Sequence, residues 1–247
     1  MPSATELVKQ TAKSVMPDAL LRFGRRLQRL VYGYGWRMPP PLAPLPPDAS
    51  RELTLAHRAW QTAAGAEANQ VHICYYSMQF EGFLLPGERP WEPRWQLLQR
   101  FVSVQGGRVL ELGCNLGLLS TYALRAGAAD AFGVDTDATL LEANRLLQQA
   151  FRVSYSTRRL DFDDPVPWEE ELAAFRPTIV TALSVFHWVR DSQRFLRFLS
   201  RFNVLLYEGH DSDQVERERL QGAGFNDVSL AGRSERNRSV FLARRAS

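Results

Sequence analysis

From residue 108 onward the apolar positions fall into short, regularly spaced blocks of two alternating kinds. Val109, Leu110 and Leu112 form a compact run closed by Gly113 and Gly117, the pattern of a strand buried on both faces that feeds a sharp turn. Residues 116–125 continue at helical spacing, residues 131–135 read as a second strand ending in an acid, and residues 139–151 are helical again. Apolar and small residues over 178–185 and 202–208 predict two further strands, and residues 225–230 with 239–244 predict a closing antiparallel pair. Strands and helices alternating through short connections predict a doubly wound α/β sheet, with ligand at the carboxyl ends of the strands.

The first hundred residues follow a different pattern. Residues 18–34 place Leu20, Phe23, Leu27, Leu30, Val31 and Tyr34 on one helical face and Arg22, Arg25, Arg26 and Arg29 on the other, with Asp18 as N-cap. A basic amphipathic helix of this kind suits an anionic membrane surface, its own domain or a second subunit. Pro39, Pro40, Pro41, Pro44, Pro46 and Pro47 then forbid helix and predict an extended linker. Residues 49–66 predict a helix capped by Asp48 or Ser50, with Leu53, Ala56, Ala59, Trp60 and Ala63 inward. Residues 70–92 are aromatic-rich and broken by Gly82, Pro86, Gly87 and Pro90, and predict no regular element. Residues 94–104 predict a helix burying Trp95, Leu98, Phe101 and Val102, ended by Gly106 and Gly107. The expected organisation is an extension over 1–47, a helical and aromatic lid over 48–92, and a core over 93–247.

Composition narrows the class. With 247 residues, 45% apolar and 23% charged, the chain can bury a full core. The net charge of +3 is uneven, because residues 1–37 hold seven Lys/Arg against Glu6 and Asp18. The remainder is slightly acidic, which argues against a broad nucleic-acid face. Cys74 and Cys114 fit no metal spacing and predict a reducing compartment. No apolar run is long enough to cross a bilayer and no secretory-signal pattern opens the sequence, so a cytoplasmic location is expected, with peripheral membrane contact through 18–34 as the open addition.

The glycine turn carries the chemistry. Its spacing is neither the dinucleotide G-x-G-x-x-G nor the phosphate-binding G-x-x-x-x-G-K-[ST]. Glu111 precedes Gly113, giving E-x-G-x-x-x-G, and a carboxylate there suits a cationic amino-acid moiety better than a pyrophosphate. This resembles motif I of the class I S-adenosylmethionine (SAM) methyltransferases. Asp135 one βα unit later and the Leu160-Asp161-Phe162-Asp163 stretch another unit on extend the resemblance. It implies a seven-stranded Rossmann-like sheet with an N-terminal helical extension and SAM as cofactor. Gly113, Cys114, Asn115 and Gly117 would form the loop, with Glu111 meeting the methionine amino group through it. Asp135 would hold the ribose, Asp161 and Phe162 the adenine, with Thr136 and Ser184 as further cofactor contacts. Cys114 is expected to pack rather than react.

The acceptor side is less defined. The segment Leu183 to Trp188, LSVFHW, lacks the [DN]-P-P-[YF] of amino-directed nucleic-acid methyltransferases. It resembles L-S-V-x-H-[HW] of methyltransferases that act on glycans or phosphates at glycan ends, and of some wobble-uridine enzymes. His210, His187 and Glu208 follow or end predicted strands and are the catalytic candidates. His187 could equally be a ring wedged beneath the cofactor. Tyr75, Tyr76, Gln79, Glu81, Arg89 and Trp91 are candidates for substrate contact or for a purely structural lid. Arg233, Arg236 and Arg238 would either grip an acidic acceptor or form a solvated loop. Asp211 and Asp213 lack a third ligand, so no metal is expected. O-methylation of a sugar, glycan terminus or other small polar acceptor is the expected function; a tRNA or other RNA methyltransferase and a non-catalytic SAM-binding scaffold subunit are the alternatives.

Overall fold

The computed structural model describes residues 39–66 and 74–245, so the helix expected over 18–34 lies outside the described residues. Helix α1 (Arg51–Ala64) opens the described chain, its first turn capped by the Ser50 hydroxyl, which accepts the Leu53 N–H at 2.9 Å. The proline-rich stretch before it is not a free spacer over its described length. Leu42 and Leu45 pack against the core, and His57 Nε2 on α1 lies 2.8 Å from the Ala43 carbonyl oxygen.

Residues 76–90, expected to lack regular structure, form a small three-stranded sheet instead. It contains β1 (Tyr76–Phe80), β2 (Phe83–Leu85) and β3 (Arg89–Pro90), in the order β2-β1-β3. Glu81 and Gly82 take positive φ (49° and 78°), which makes the tight β1-β2 hairpin. Helix α2 (Trp91–Gln99) starts three residues earlier than predicted and ends earlier, which leaves Phe101 exposed at 37% while Val102 stays buried.

The main sheet contains β4 (Arg108–Leu112), β5 (Asp130–Asp135), β6 (Ser156–Arg159), β7 (Ile179–Leu183), β8 (Val204–Glu208), β9 (Asp227–Arg233) and β10 (Ser239–Arg244). Its order is β6-β5-β4-β7-β8-β10-β9, with β10 antiparallel to both neighbours and the remaining pairs parallel. The expected doubly wound seven-stranded sheet is therefore present. Alternate strand residues face opposite layers, as a period of two requires. Val109, Ile179 and Leu206 join α1, α2, α3 (Leu118–Arg125) and α4 (Ala138–Phe151) in one core. Leu110, Val180 and Leu205 join α5 (Glu169–Ala174), α6 (Ser192–Leu199) and α7 (Asp213–Gly222) in the other. Strand order reverses between β4 and β7, and an open sheet of this kind leaves its ligand crevice there.

Candidate active site

The turn between β4 and α3 is fixed by the chain around it. Gly117 has φ 65°, and a Cβ there would strike the Tyr155 hydroxyl and the Asn144 amide, so the turn needs glycine. A Cβ on Gly113 would lie 2.6 Å from Val185 Cγ2. Asn115 sits at φ 50° and donates its N–H to Asp135 Oδ2 at 2.7 Å, while Asp137 donates its N–H to Oδ1 at 3.1 Å. Asp135 thus ties the turn to the end of β5. Burial pushes its carboxyl upward in pKa, opposed by these hydrogen bonds. Glu111 accepts the N–H and the hydroxyl of Ser120, at 3.0 and 2.6 Å, at the start of α3. Burial still pushes the Glu111 carboxyl up to about 7. Cys114 is buried, its thiol driven far above the ordinary range by desolvation. Two carboxyl groups flank the turn, acceptors matched to a cationic ligand rather than a pyrophosphate.

The adenine side departs from expectation. Phe162 is buried against Trp168 and Phe195, at ring distances of 5.1 and 4.8 Å, so its ring belongs to the core. Asp161 is exposed and accepts the Asp163 N–H at 2.9 Å; Thr136 is exposed beside Asp135, its carbonyl accepting Arg159 Nε at 3.0 Å.

On the acceptor side, β7 stops at Leu183 because Ser184 turns to φ 61°, and a 3₁₀ turn over Phe186–Trp188 follows. This brings His187 onto His210, with ring centroids 3.5 Å apart and planes at 39°. Glu216 Oε1 accepts the N–H groups of His210 and Asp211, at 2.8 and 2.9 Å, which sets the chain beyond β8. Burial pushes the His210 imidazole down to about 3, with Arg238 adding to the shift, so the ring is neutral near pH 7. Its Nε2 is buried and has no hydrogen-bond partner among the described residues. Arg238 Nη1 donates to Ser184 Oγ at 3.2 Å, which places Ser184, His187, His210 and Arg238 together at the ends of β7 and β8.

Other candidates belong elsewhere. Glu208 is wholly buried and paired with Arg94 and, at 3.4 Å, with Arg89; Ser234 Oγ donates to it at 3.2 Å. Burial alone would raise its carboxyl, yet the Arg94 and Arg89 guanidiniums outweigh that and hold it at about 2, so Glu208 is a structural anion and not the catalytic acid expected. Arg89, 1% exposed, also grips Glu235 and the Tyr75 hydroxyl, and is not open to substrate. Tyr76 and Trp91 are core residues too, stacked edge-on at 5.3 Å. Tyr75 is half-buried between the Arg89 and Arg236 guanidiniums, 5.0 and 5.5 Å from its ring. Arg233 is held by Asp213 at 2.6 Å and also donates to the Asn237 carbonyl and the Ser239 hydroxyl. Gln79 and Glu81 line an open cleft of about 380 Å³ with Tyr122, Arg125 and Phe151. That cleft lies at the C-terminal ends of α3 and α4, away from the ligand edge of the sheet. Among the described residues no cluster of His, Cys, Asp and Glu could hold a metal, and no helix is long and apolar enough to cross a membrane.

Sequence reading missed Arg94 and Glu216. Arg94 had a visible signal, since it shares the buried stripe Trp91, Arg94, Leu98 of α2, where an apolar residue belongs.

A doubly wound seven-stranded sheet, a glycine turn at its switch point and flanking carboxylates define the SAM-binding methyltransferase class of α/β fold. The chain belongs to the methyltransferase domain family, whose model matches residues 89–233, and SAM is the cofactor that membership implies. Over 40 residues the chain is 52% identical to the ribosomal protein L11 methyltransferase of Stenotrophomonas maltophilia, a match covering 16% of this chain and 13% of that protein. Among solved structures it resembles EvdMO1, with 18% identity, a TM-score of 0.52 and coverage of 68% of this chain and 44% of that one. It also resembles an O-methyltransferase family protein from Burkholderia thailandensis, with 13% identity, a TM-score of 0.52 and coverage of 63% and 56%. The chain spans about an eighth of the length of the curated relatives it matches and about half of these solved chains. At these identities the solved structures show the fold.

Proposed function

We propose that this chain transfers the methyl group of SAM to a hydroxyl of a sugar, glycan terminus or other small polar acceptor. When bound, the cofactor supplies an electrophilic methyl group, and the chain has to hold the acceptor oxygen in line and receive its proton. The observation that carries this reading is the paired imidazoles at the strand ends. His210, kept neutral and with Nε2 unbonded among the described residues, is available to accept a hydrogen bond from an acceptor hydroxyl. His187, stacked at 3.5 Å, fixes the plane of that ring. Arg238, at the same edge, offers a donor to a polar or anionic acceptor group. Within this reading Asp135 holds the ribose hydroxyls and Glu111 faces the methionine ammonium.

The test is methyl transfer from isotope-labelled SAM to separate panels of sugars, sugar phosphates, RNA and protein, read by mass spectrometry. Incorporation at a hydroxyl of the sugar panels is the expected result. Incorporation confined to RNA or to a protein amine would contradict the proposal, as would cofactor binding with no transfer to any panel.

A further inference from the structure

The closing hairpin carries one arginine to the ligand edge of the sheet. In the β8·β10 ladder Val240 pairs with Glu208, the last residue of β8, and the Gly209 N–H donates to the Ser239 carbonyl at 3.2 Å. β10 runs antiparallel to β8, so Arg238, one residue before β10 begins, lies beyond the carboxyl end of β8. Its Nη1 donates to Ser184 Oγ at 3.2 Å, just past the carboxyl end of β7.

Arg238 has no carboxylate of its own. Arg94 is paired with Glu208, Arg89 with Glu235, and Arg236 with Glu88 at 2.9 Å. Among the described residues the one carboxylate within ion-pair distance of Arg238 is Glu208, at 3.9 Å, and Arg94 and Arg89 already hold it. The Arg238 side chain is only 24% exposed, and Ser184 Oγ is the single hydrogen-bond acceptor its guanidinium has among the described residues. Burial therefore pulls its pKa below the ordinary arginine value by more than Tyr75 and Glu208 restore. For Arg94, in the same cluster, Tyr76 and Glu208 outweigh burial and the shift is upward. A half-buried guanidinium with most of its N–H donors unclaimed by the chain suits an oxyanion, which takes two of them at once.

This cation also acts on the imidazole pair. Burial lowers the His210 pKa most and Arg238 next; Glu208 and Asp211 raise it, and Arg89 lowers it. Asp211 is itself held by Arg219 at 2.8 Å. An oxyanion on Arg238 would offset the field of the arginine at the ring and make Nε2 a better proton acceptor.

We propose that the methyl acceptor carries a carboxylate or phosphate beside the hydroxyl that is methylated, and that Arg238 binds this anion and so sets the hydroxyl against His210. The inference deepens the hydroxyl-acceptor reading above and rests on it. A neutral sugar leaves Arg238 unmatched, so this residue selects acid sugars or sugar phosphates over their neutral parents.

The first arm of the test needs no turnover. Inorganic phosphate and acetate are titrated into the full chain, with and without S-adenosylhomocysteine, and the His210 imidazole resonances are followed by NMR. At least one anion should shift the ring signals to saturation. Arg238→Gln keeps an N–H for Ser184 and should weaken that binding by at least about tenfold, the loss expected for hydrogen bonds to a charged group. The second arm measures methyl transfer from SAM to methyl glucoside, its uronic acid and its 6-phosphate. The wild type should favour a charged member over the neutral parent by at least about tenfold in kcat/KM, and the favoured member tells carboxylate from phosphate. Arg238→Gln should bring that ratio within about threefold. If the variant loses its folded spectrum, the wild-type ratio decides. Equal rates on charged and neutral acceptors overturn the inference, as does a preference retained by folded Arg238→Gln or a His210 ring that neither anion shifts. Anion binding at Arg238 with no transfer to any hydroxyl removes the reading of the reaction and leaves the anion site standing.

Discussion

Glu208→Ala is expected to destabilise the domain by about 3–5 kcal/mol, the cost of leaving the buried Arg94 guanidinium without its close anion while Arg89 keeps Glu235. Arg94 and Arg89 both point at this one carboxylate, with side chains 3% and 1% exposed, and neither can reach bulk water to recover its hydration. A typical domain is stable by only about 5–15 kcal/mol, so the loss would bring the variant close to unfolding. The same group predicts a pH dependence. The folded carboxyl is held at about 2, below the ordinary 4.5, so the unfolded chain binds protons more readily between those values. The contribution is therefore complete above about pH 4.5 and is lost as pH falls toward 2. Urea unfolding of wild type and Glu208→Ala at pH 7 and pH 3.5 measures both effects. A change below about 1 kcal/mol at pH 7 would show that the cluster is not an anchor.

His210→Ala is expected to lower kcat about 100-fold while leaving SAM affinity within about twofold. General-base assistance contributes about 10²–10⁴ in rate, and a ring whose conjugate acid lies near 3 is a weak acceptor, which selects the lower end of that range. The ring is already neutral throughout pH 5–8. The acid limb of kcat/KM should therefore fall below that interval, and loss of activity near pH 6.5 would have to come from another group. A His210→Ala enzyme with full kcat on a hydroxyl acceptor would remove this residue from proton transfer. The separation of kcat from cofactor affinity distinguishes loss of a base from loss of the nearby backbone, which Glu216 holds independently of the ring.

Why some of the site was legible in sequence and some was not follows from where each residue's partners lie. Glu111, Gly113, Gly117 and Asp135 could be read because a strand, a turn and an acid at a strand end are local patterns. The regular alternation likewise gives a doubly wound sheet with mostly parallel strands, but not the order of those strands. Phe162 could not be placed, since an aromatic after a strand can face the crevice or the core; Trp168 and Phe195 decide it. The small β1-β2-β3 sheet was hidden by Gly82, Pro86 and Pro90, although the alternate burial of residues 76–80 has a strand's period. Glu208 looked like a catalytic acid because its arginine partners lie 119 and 114 residues away in the chain. Arg89 and Trp91 look like substrate contacts or lid residues for the same reason. The sequence shows their chemistry, and only the packing of α2 beneath the closing hairpin shows that they are internal.

The central claim is that the β4–β5 edge binds SAM through Asp135 and the glycine turn. Its most direct test is calorimetric titration of the wild type and Asp135→Ala with SAM and S-adenosylhomocysteine. The account predicts micromolar binding of both ligands to the wild type, and at least a tenfold loss, about 1.4 kcal/mol, in the variant. Absence of binding by either ligand to the folded wild type, or equal affinity in the variant, would contradict it.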